Sequence, residues 1–298
     1  MDRPLHLYAL LLAFGAGWGL MQPATKVARE AGFEPWGMMA WQGVVTLAIC
    51  WALVARRAGP SFPRTRAEWA FCARLAVLGT LIPHVASYTA VGHLQAGLMA
   101  ILISTIPLFA LPMGLVAGTE TAEARRVGGL GLGLVGVVLI ALSRDGVAGG
   151  DLVWIACALV APVCYALNST WIAKTGMAGL DPLRAFLGAA VVFAPVSIAA
   201  ALATGQAKGL FAPGEALGSA AVLGIAGGHT LIYAGFLWLL GRAGSVFASQ
   251  TAFLVTGFGV AWSMLLLGER YPAAVGAALG LMLAGLALVR PAGQTGTR

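Results

Sequence analysis

Two histidine–tyrosine pairs carry the side chains of this chain best suited to chemistry. His84-x-x-x-Tyr88 and His229-x-x-x-Tyr233 stand 145 residues apart, each inside an apolar run. At i,i+4 spacing an imidazole and a phenol share one helix face, about 40° apart around the axis. Such a face can line a polar cavity, or the imidazole can simply donate to a neighbouring carbonyl and join two helices. A metal site would need at least a third ligand; none converges in the sequence, so no metal is expected. Gln22, Asn168, Gln250 and Thr251 are further polar side chains in apolar runs. An amide left unpaired in hydrocarbon costs about 2–7 kcal/mol, so each must face protein or a wet cavity. Trp18 lies one turn before Gln22, and Tyr165 lies three residues before Asn168. Each amide therefore comes with a ring, a combination that suits a ligand with a polar head and an aromatic body.

Trp18, Trp41, Tyr88, Tyr165, Tyr233 and Trp238 offer stacking surface, including cation–π contact with an ammonium group. Trp36, Trp69 and Trp154 stand at the ends of apolar runs and fit an interfacial belt, while Trp171 and Trp238 fit either role. The candidate substrate-binding set is thus Trp18, Gln22, Trp41, His84, Tyr88, Tyr165, Asn168, His229, Tyr233, Trp238, Gln250 and Thr251. Pro23, Pro83 and Pro107 each remove a helical hydrogen bond and are candidate hinges; static kinks are the plainer alternative. Lys26 and Arg74 stand near run ends, where they can snorkel.

Acidic residues argue by their placement. All 11 fall at the ends of apolar runs or between them, where none can load and release a proton at mid-membrane. A carboxylate proton relay is therefore not expected, and any solute movement would be by facilitation or exchange. No G-x-S-x-G and no acidic dyad supports an intramembrane enzyme, so none is expected. Gly131 to Gly136 spells G-x-G-x-x-G but follows no strand, so no dinucleotide or other cofactor is implied. A channel would need repeated selectivity elements.

The elements that must position these side chains are membrane helices. Of 298 residues, 59% are hydrophobic and 10% charged, against about 25% charged in a soluble domain. The mean hydropathy is +0.88. The net charge of +7 is scattered in ones and twos rather than in a basic stripe, which argues against nucleic acid as a partner. Cys50, Cys72, Cys157 and Cys164 form no C-x-x-C and read as small apolar residues.

Spans of about 20 apolar residues number ten: Leu5–Val27, Phe33–Ala55, Glu68–Val91, Gly97–Gly118, Val127–Ser143, Asp151–Ala173, Pro182–Thr204, Ala216–Leu240, Ser245–Leu267 and Pro272–Val289. The first runs too long for a cleaved signal peptide and reads as a span. With both termini cytoplasmic, 13 of the 18 cations fall inside, as the positive-inside rule requires. A bacterial inner membrane is the expected location.

A repeat organises the spans. Besides the His–Tyr pairs, Gly129-x-x-x-Gly133 recurs as Gly276-x-x-x-Gly280 at an offset of 147, and Gln22 matches Asn168 at 146. Gly118-Thr119-Glu120 closes span four, and Gly268-Glu269 closes span nine. Five spans per half is an odd number, so the second half enters from the opposite side. The expected fold is all-α: ten transmembrane helices forming two inverted five-helix repeats, 1–145 and 146–298, around a central cavity. The glycine-rich spans five and ten could pack within one chain or join two chains as a homodimer.

On these features the sequence resembles the drug/metabolite transporter superfamily, specifically its ten-helix EamA-type exporters. Trp18-Gly19 followed by Lys26, Tyr88-Thr89-Ala90, Ile106-Pro107-Leu108 and Glu120 carry the likeness in the first half. Gly268-Glu269 and the glycine-rich last span carry it in the second. Within that family it is similar to the YddG-type aromatic amino-acid exporters. The resemblance implies a basket of helices around a cavity, spans five and ten at the periphery, and export from the cytoplasm. Thr256 stands near where the first half has Pro107, so the paired proline break is incomplete. Export of a small amphipathic metabolite, an aromatic amino acid foremost, is the expected function; efflux of cationic drugs or nucleobase-like compounds is the alternative.

Overall fold

Apolar runs closed by glycine, proline or charged clusters become helices in the computed structural model, which describes residues 5–57, 59–120, 123–142, 152–243 and 251–288. Ten helices cover these residues: α1 Leu5–Glu30, α2 Pro35–Val54, α3 Arg66–Ala90, α4 Ala96–Ala117, α5 Ala124–Leu142, α6 Leu152–Thr175, α7 Pro182–Ala203, α8 Ala216–Ala243, α9 Thr251–Leu267 and α10 Ala273–Leu288. Seven of them, α1 to α4 and α6 to α8, are long and apolar enough to cross a membrane. The other three hold shorter apolar stretches: Val127–Gly136, Leu254–Leu267 and Ala273–Gly285. Ten spans were expected at full length; the ninth was expected to begin at Ser245, which lies outside the described residues.

Local chemistry explains the ends. Thr65 Oγ1 accepts from Glu68 N at 3.2 Å while Glu68 Oε2 accepts from Thr65 N at 3.0 Å, a reciprocal cap that starts α3. Pro182 opens α7 behind Asp181, whose carboxylate accepts from Leu183 N at 3.1 Å. Gly118 and Gly268 end α4 and α9 with φ of 72° and 66°, the left-handed conformation that costs glycine least.

Prolines shape two helices and leave others intact. Pro83 lacks an N–H and crowds the carbonyl four residues back. Helix α3 responds with a π-turn over Val77–Leu81, in which Ile82 N reaches Val77 O. Near Pro107, α4 is interrupted at Ser104 and Thr105. There the hydroxyls donate to Ile101 O at 2.7 Å and Leu102 O at 2.6 Å, occupying carbonyls at the break. By contrast α1 continues as α-helix through Pro23.

The most extensive helix pairings follow one closed path: α1 on α9, α9 on α4, α4 on α6, α6 on α3, α3 on α7, α7 on α2, α2 on α8, and α8 back on α1. Helices α5 and α10 pack on each other outside this ring. First-half and second-half helices alternate around it. Close crossings use small residues: a Cβ on Gly259 would stand 2.4 Å from Ala100 Cβ, and one on Gly19 would stand 2.8 Å from Gly259 N. A Cβ on Gly285 of α10 would meet Gly129 O at 2.5 Å and Gly133 N at 3.0 Å, so part of the glycine stripe of α5 is used within the chain. A Cβ on Gly276 or Gly280 would meet nothing within 4 Å among the described residues.

Candidate functional site

The repeated histidines meet inside the ring. His84 on α3 and His229 on α8 have ring centroids 5.1 Å apart and nearly perpendicular planes, at 88°. Each stacks on the tyrosine one turn further along its helix: His84 on Tyr88 at 5.6 Å, His229 on Tyr233 at 6.3 Å. The i,i+4 spacing therefore does what the sequence suggests, twice. Tyr165 of α6 approaches His84 at 6.4 Å, edge to face, and Phe186 of α7 lies 5.2 Å from Tyr233. Four helices contribute rings to one cluster.

Gln42 of α2 fixes the geometry of that cluster and was absent from the sequence-derived set. Its Oε1 accepts from the Tyr88 hydroxyl at 2.6 Å and lies 3.1 Å from His84 Nδ1. Gln42 is only 1% exposed, and its Nε2 donor has no partner. One turn along α2, Thr46 Oγ1 sits 2.9 Å from Thr230 Oγ1, beside His229.

Two of the expected amides share this condition. Gln22 Oε1 and Asn168 Oδ1 are buried and unpartnered, as is the Ser87 hydroxyl. Asn168 lies against α3, its Nδ2 3.6 Å from the place a Cβ on Gly79 would take. Helices α1 and α8 run antiparallel with Gly17 against Ile232 and Met21 against Gly228, which sets Gln22 at the level of His229. Trp18 packs edge-on against Phe236 at 5.2 Å on the same seam.

Three expected residues lie elsewhere or outside view. Trp41 donates from Nε1 to Lys208 O at 2.8 Å, so it fastens α2 to the link between α7 and α8 rather than stacking in the cluster. Thr251 is buried at the start of α9. Gln250 lies outside the described residues. Trp238 is half-exposed and borders a cleft of about 260 Å³ that also involves Leu53, Arg57, Asp181, Phe186 and Tyr233. That cleft leads from the Arg57–Asp181 pair, 3.6 Å apart, to the rings stacked on His229.

The opposite end is tied by a set of polar bonds, several of them between the halves. Lys26 Nζ, expected to snorkel, donates instead to Leu94 O at 2.8 Å. Glu269 accepts from Ala96 N at 2.8 Å and Gly97 N at 3.1 Å, capping α4 from the end of α9. The Tyr271 hydroxyl donates to the same carboxylate. Burial first, and Glu269 beside it, push that phenol above its ordinary value, so it remains a donor. Trp36 N reaches Gln206 Oε1 at 2.9 Å, and Lys208 Nζ reaches Ala31 O at 2.6 Å. Arg74, also expected to snorkel, lies between Phe71 and Trp171 without a counter-ion among the described residues.

Polar groups that are buried, unpartnered and ringed by aromatics can bind a small amphipathic molecule. Residues 5–142 match the EamA-like transporter family. No curated protein matches the chain by sequence. One solved crystal structure aligns over 95% of this chain and 96% of its own length, at 15% identity and a TM-score of 0.62, which is a likeness of fold alone. The family match thus covers residues 5–142, a little under half of the chain, and the likeness of fold extends over nearly all of it.

Proposed function

We propose that the chain exports a small amphipathic metabolite, an aromatic amino acid first, by alternating access. The observation that carries this reading is the set of orphaned polar atoms beside the ring cluster: a donor on Gln42 and acceptors on Gln22 and Asn168. Leaving each buried without a partner costs about 1–3 kcal/mol. A ligand whose polar head brings an acceptor to the donor and N–H groups to the acceptors recovers that cost. The rings of Tyr88, Tyr165, Phe186 and Tyr233 supply stacking for its apolar body.

The positive-inside reading puts the Arg57 end in the cytoplasm, with both termini. The cleft then opens toward the compartment from which an exporter loads, while the Glu269 end is closed. The interleaved ring of helices supports two inverted repeats, 1–145 and 146–298, and α5 with α10 stands at the periphery.

Counterflow in proteoliposomes tests the proposal, with radiolabelled amino acids, organic cations and nucleosides as the panel. Saturable, counterflow-stimulated flux of phenylalanine or tryptophan is expected, and its loss in folded His84→Ala, Tyr88→Ala and Gln22→Ala. Flux confined to cations or nucleosides overturns the amino-acid reading. Non-saturable flux overturns the carrier.

A further inference from the structure

Arg74 lies within the membrane-spanning length of α3, and its guanidinium has no counter-ion among the described residues. The guanidinium carbon stands 4.6 Å from the Trp171 ring centroid and 5.0 Å from that of Phe71. Nε and Nη2 are buried and reach no acceptor. The acid on the same helix, Glu68, is already engaged: it accepts from the Arg64 and Thr65 amides and faces Arg184 at 3.9 Å. Arginine keeps its proton in proteins, so this charge cannot be shed to relieve its burial. An ionisable group placed so within a span marks a ligand or a pathway.

A matching acceptor lies along the same contact between helices. Asn168 of α6 lies against Gly79, five residues beyond Arg74 on α3. Trp171, which covers the guanidinium, follows Asn168 by three residues on α6, and Tyr165 precedes it by three. Orphan N–H groups of Arg74 and the orphan Oδ1 of Asn168 thus border one seam, with a ring beside each.

We propose that Arg74 holds the carboxylate of the transported molecule while Asn168 Oδ1 accepts its ammonium, with the ring against Trp171 or Tyr165. The site is built for a carboxylate, whose two oxygens match the guanidinium fork. This rests on the amino-acid reading above and deepens it, because the charged head rather than the ring becomes the group that is checked. It also corrects the expectation that Arg74 merely snorkels.

The test uses the full chain in maltoside detergent, stripped of phospholipid, with three probes: phenylalanine, 3-phenylpropionate and phenethylamine. Equilibrium binding of the first two weakens at least ten-fold in Arg74→Gln, and that of phenethylamine changes less than two-fold. Arg74→Lys, a charge without the fork, loses less than Arg74→Gln and serves if that variant does not fold. Asn168→Leu weakens phenylalanine and phenethylamine and spares 3-phenylpropionate. Unaltered phenylalanine binding in a folded Arg74→Gln overturns the proposal. So does a phospholipid that native mass spectrometry finds on the wild type and not on Arg74→Gln, if phenylalanine affinity is the same in both. Arg74-dependent binding of 3-phenylpropionate with no binding of phenylalanine upholds the carboxylate site and sinks the amino-acid reading. Binding of phenylalanine that ignores Arg74 does the reverse.

Discussion

Gln42 accepts two hydrogen bonds at once, from Tyr88 and at His84 Nδ1, and that double use makes it the most sensitive side chain of the cluster. In Gln42→Leu, a buried phenol and a buried imidazole lose their acceptor, at about 1–3 kcal/mol. A lower thermal midpoint in detergent and at least a ten-fold fall in counterflow are expected together. Retained counterflow would mean that the ring cluster does not handle substrate. The histidines, tyrosines, Gln22 and Asn168 were readable in the sequence because they recur at one offset. Gln42 was not, because the position 146 residues on is Gly188, so the repeat gives it no echo. Trp41 misled for a related reason: ring chemistry alone cannot tell a stacking surface from an indole that donates to Lys208 O.

Helices carry their own predictions. Pro83 is the cause of the π-turn over Val77–Leu81, which turns the start of α3 relative to His84 and Tyr88. Pro83→Ala restores an N–H four residues beyond Gly79, allowing the turn to close as ordinary α-helix. A thermal midpoint as high as the wild type's or higher, with reduced counterflow, is the expected pair; loss of both would point to simple misfolding. The sequence placed a break at Pro83 without its form, since a missing donor can yield a kink, an interruption or a π-turn. Near Pro107 it yields the interruption, and at Pro23 neither. At the crossing of α9 with α4, Gly259→Val would force a side chain to within 2.4 Å of Ala100 Cβ. Overpacking of this kind costs about 1–3 kcal/mol, readable as a lower midpoint, and Ala100→Gly should recover part of it.

At the scale of the whole molecule, closure of one end depends on Glu269, an acid from α9 that caps α4. Glu269→Ala leaves the Ala96 N–H unsatisfied and Gly97 N–H with only the Tyr271 hydroxyl to donate to, and that hydroxyl loses its acceptor. A membrane-impermeant thiol reagent should then label Ala96→Cys at least several-fold faster than in the Glu269 background. Equal labelling would show that this end is held by other bonds. Apolar runs in the sequence carry the number and order of helices, and those ends that lie among the described residues fall within a few residues of the structure. The neighbours did not follow from it, because hydropathy says that a segment is buried in lipid and not which helix lies beside it.

The alternation of halves around the ring has a consequence for how the chain is made. Every extensive pairing joins a helix of residues 5–142 to one of residues 152–288. A ribosome that has delivered only the first five helices has therefore supplied almost none of their eventual neighbours. Those helices must wait in the lipid, their seams open, until the rest is threaded between them. Expressed alone, either half should be degraded, whereas the two fragments produced together in one cell should find each other and restore counterflow.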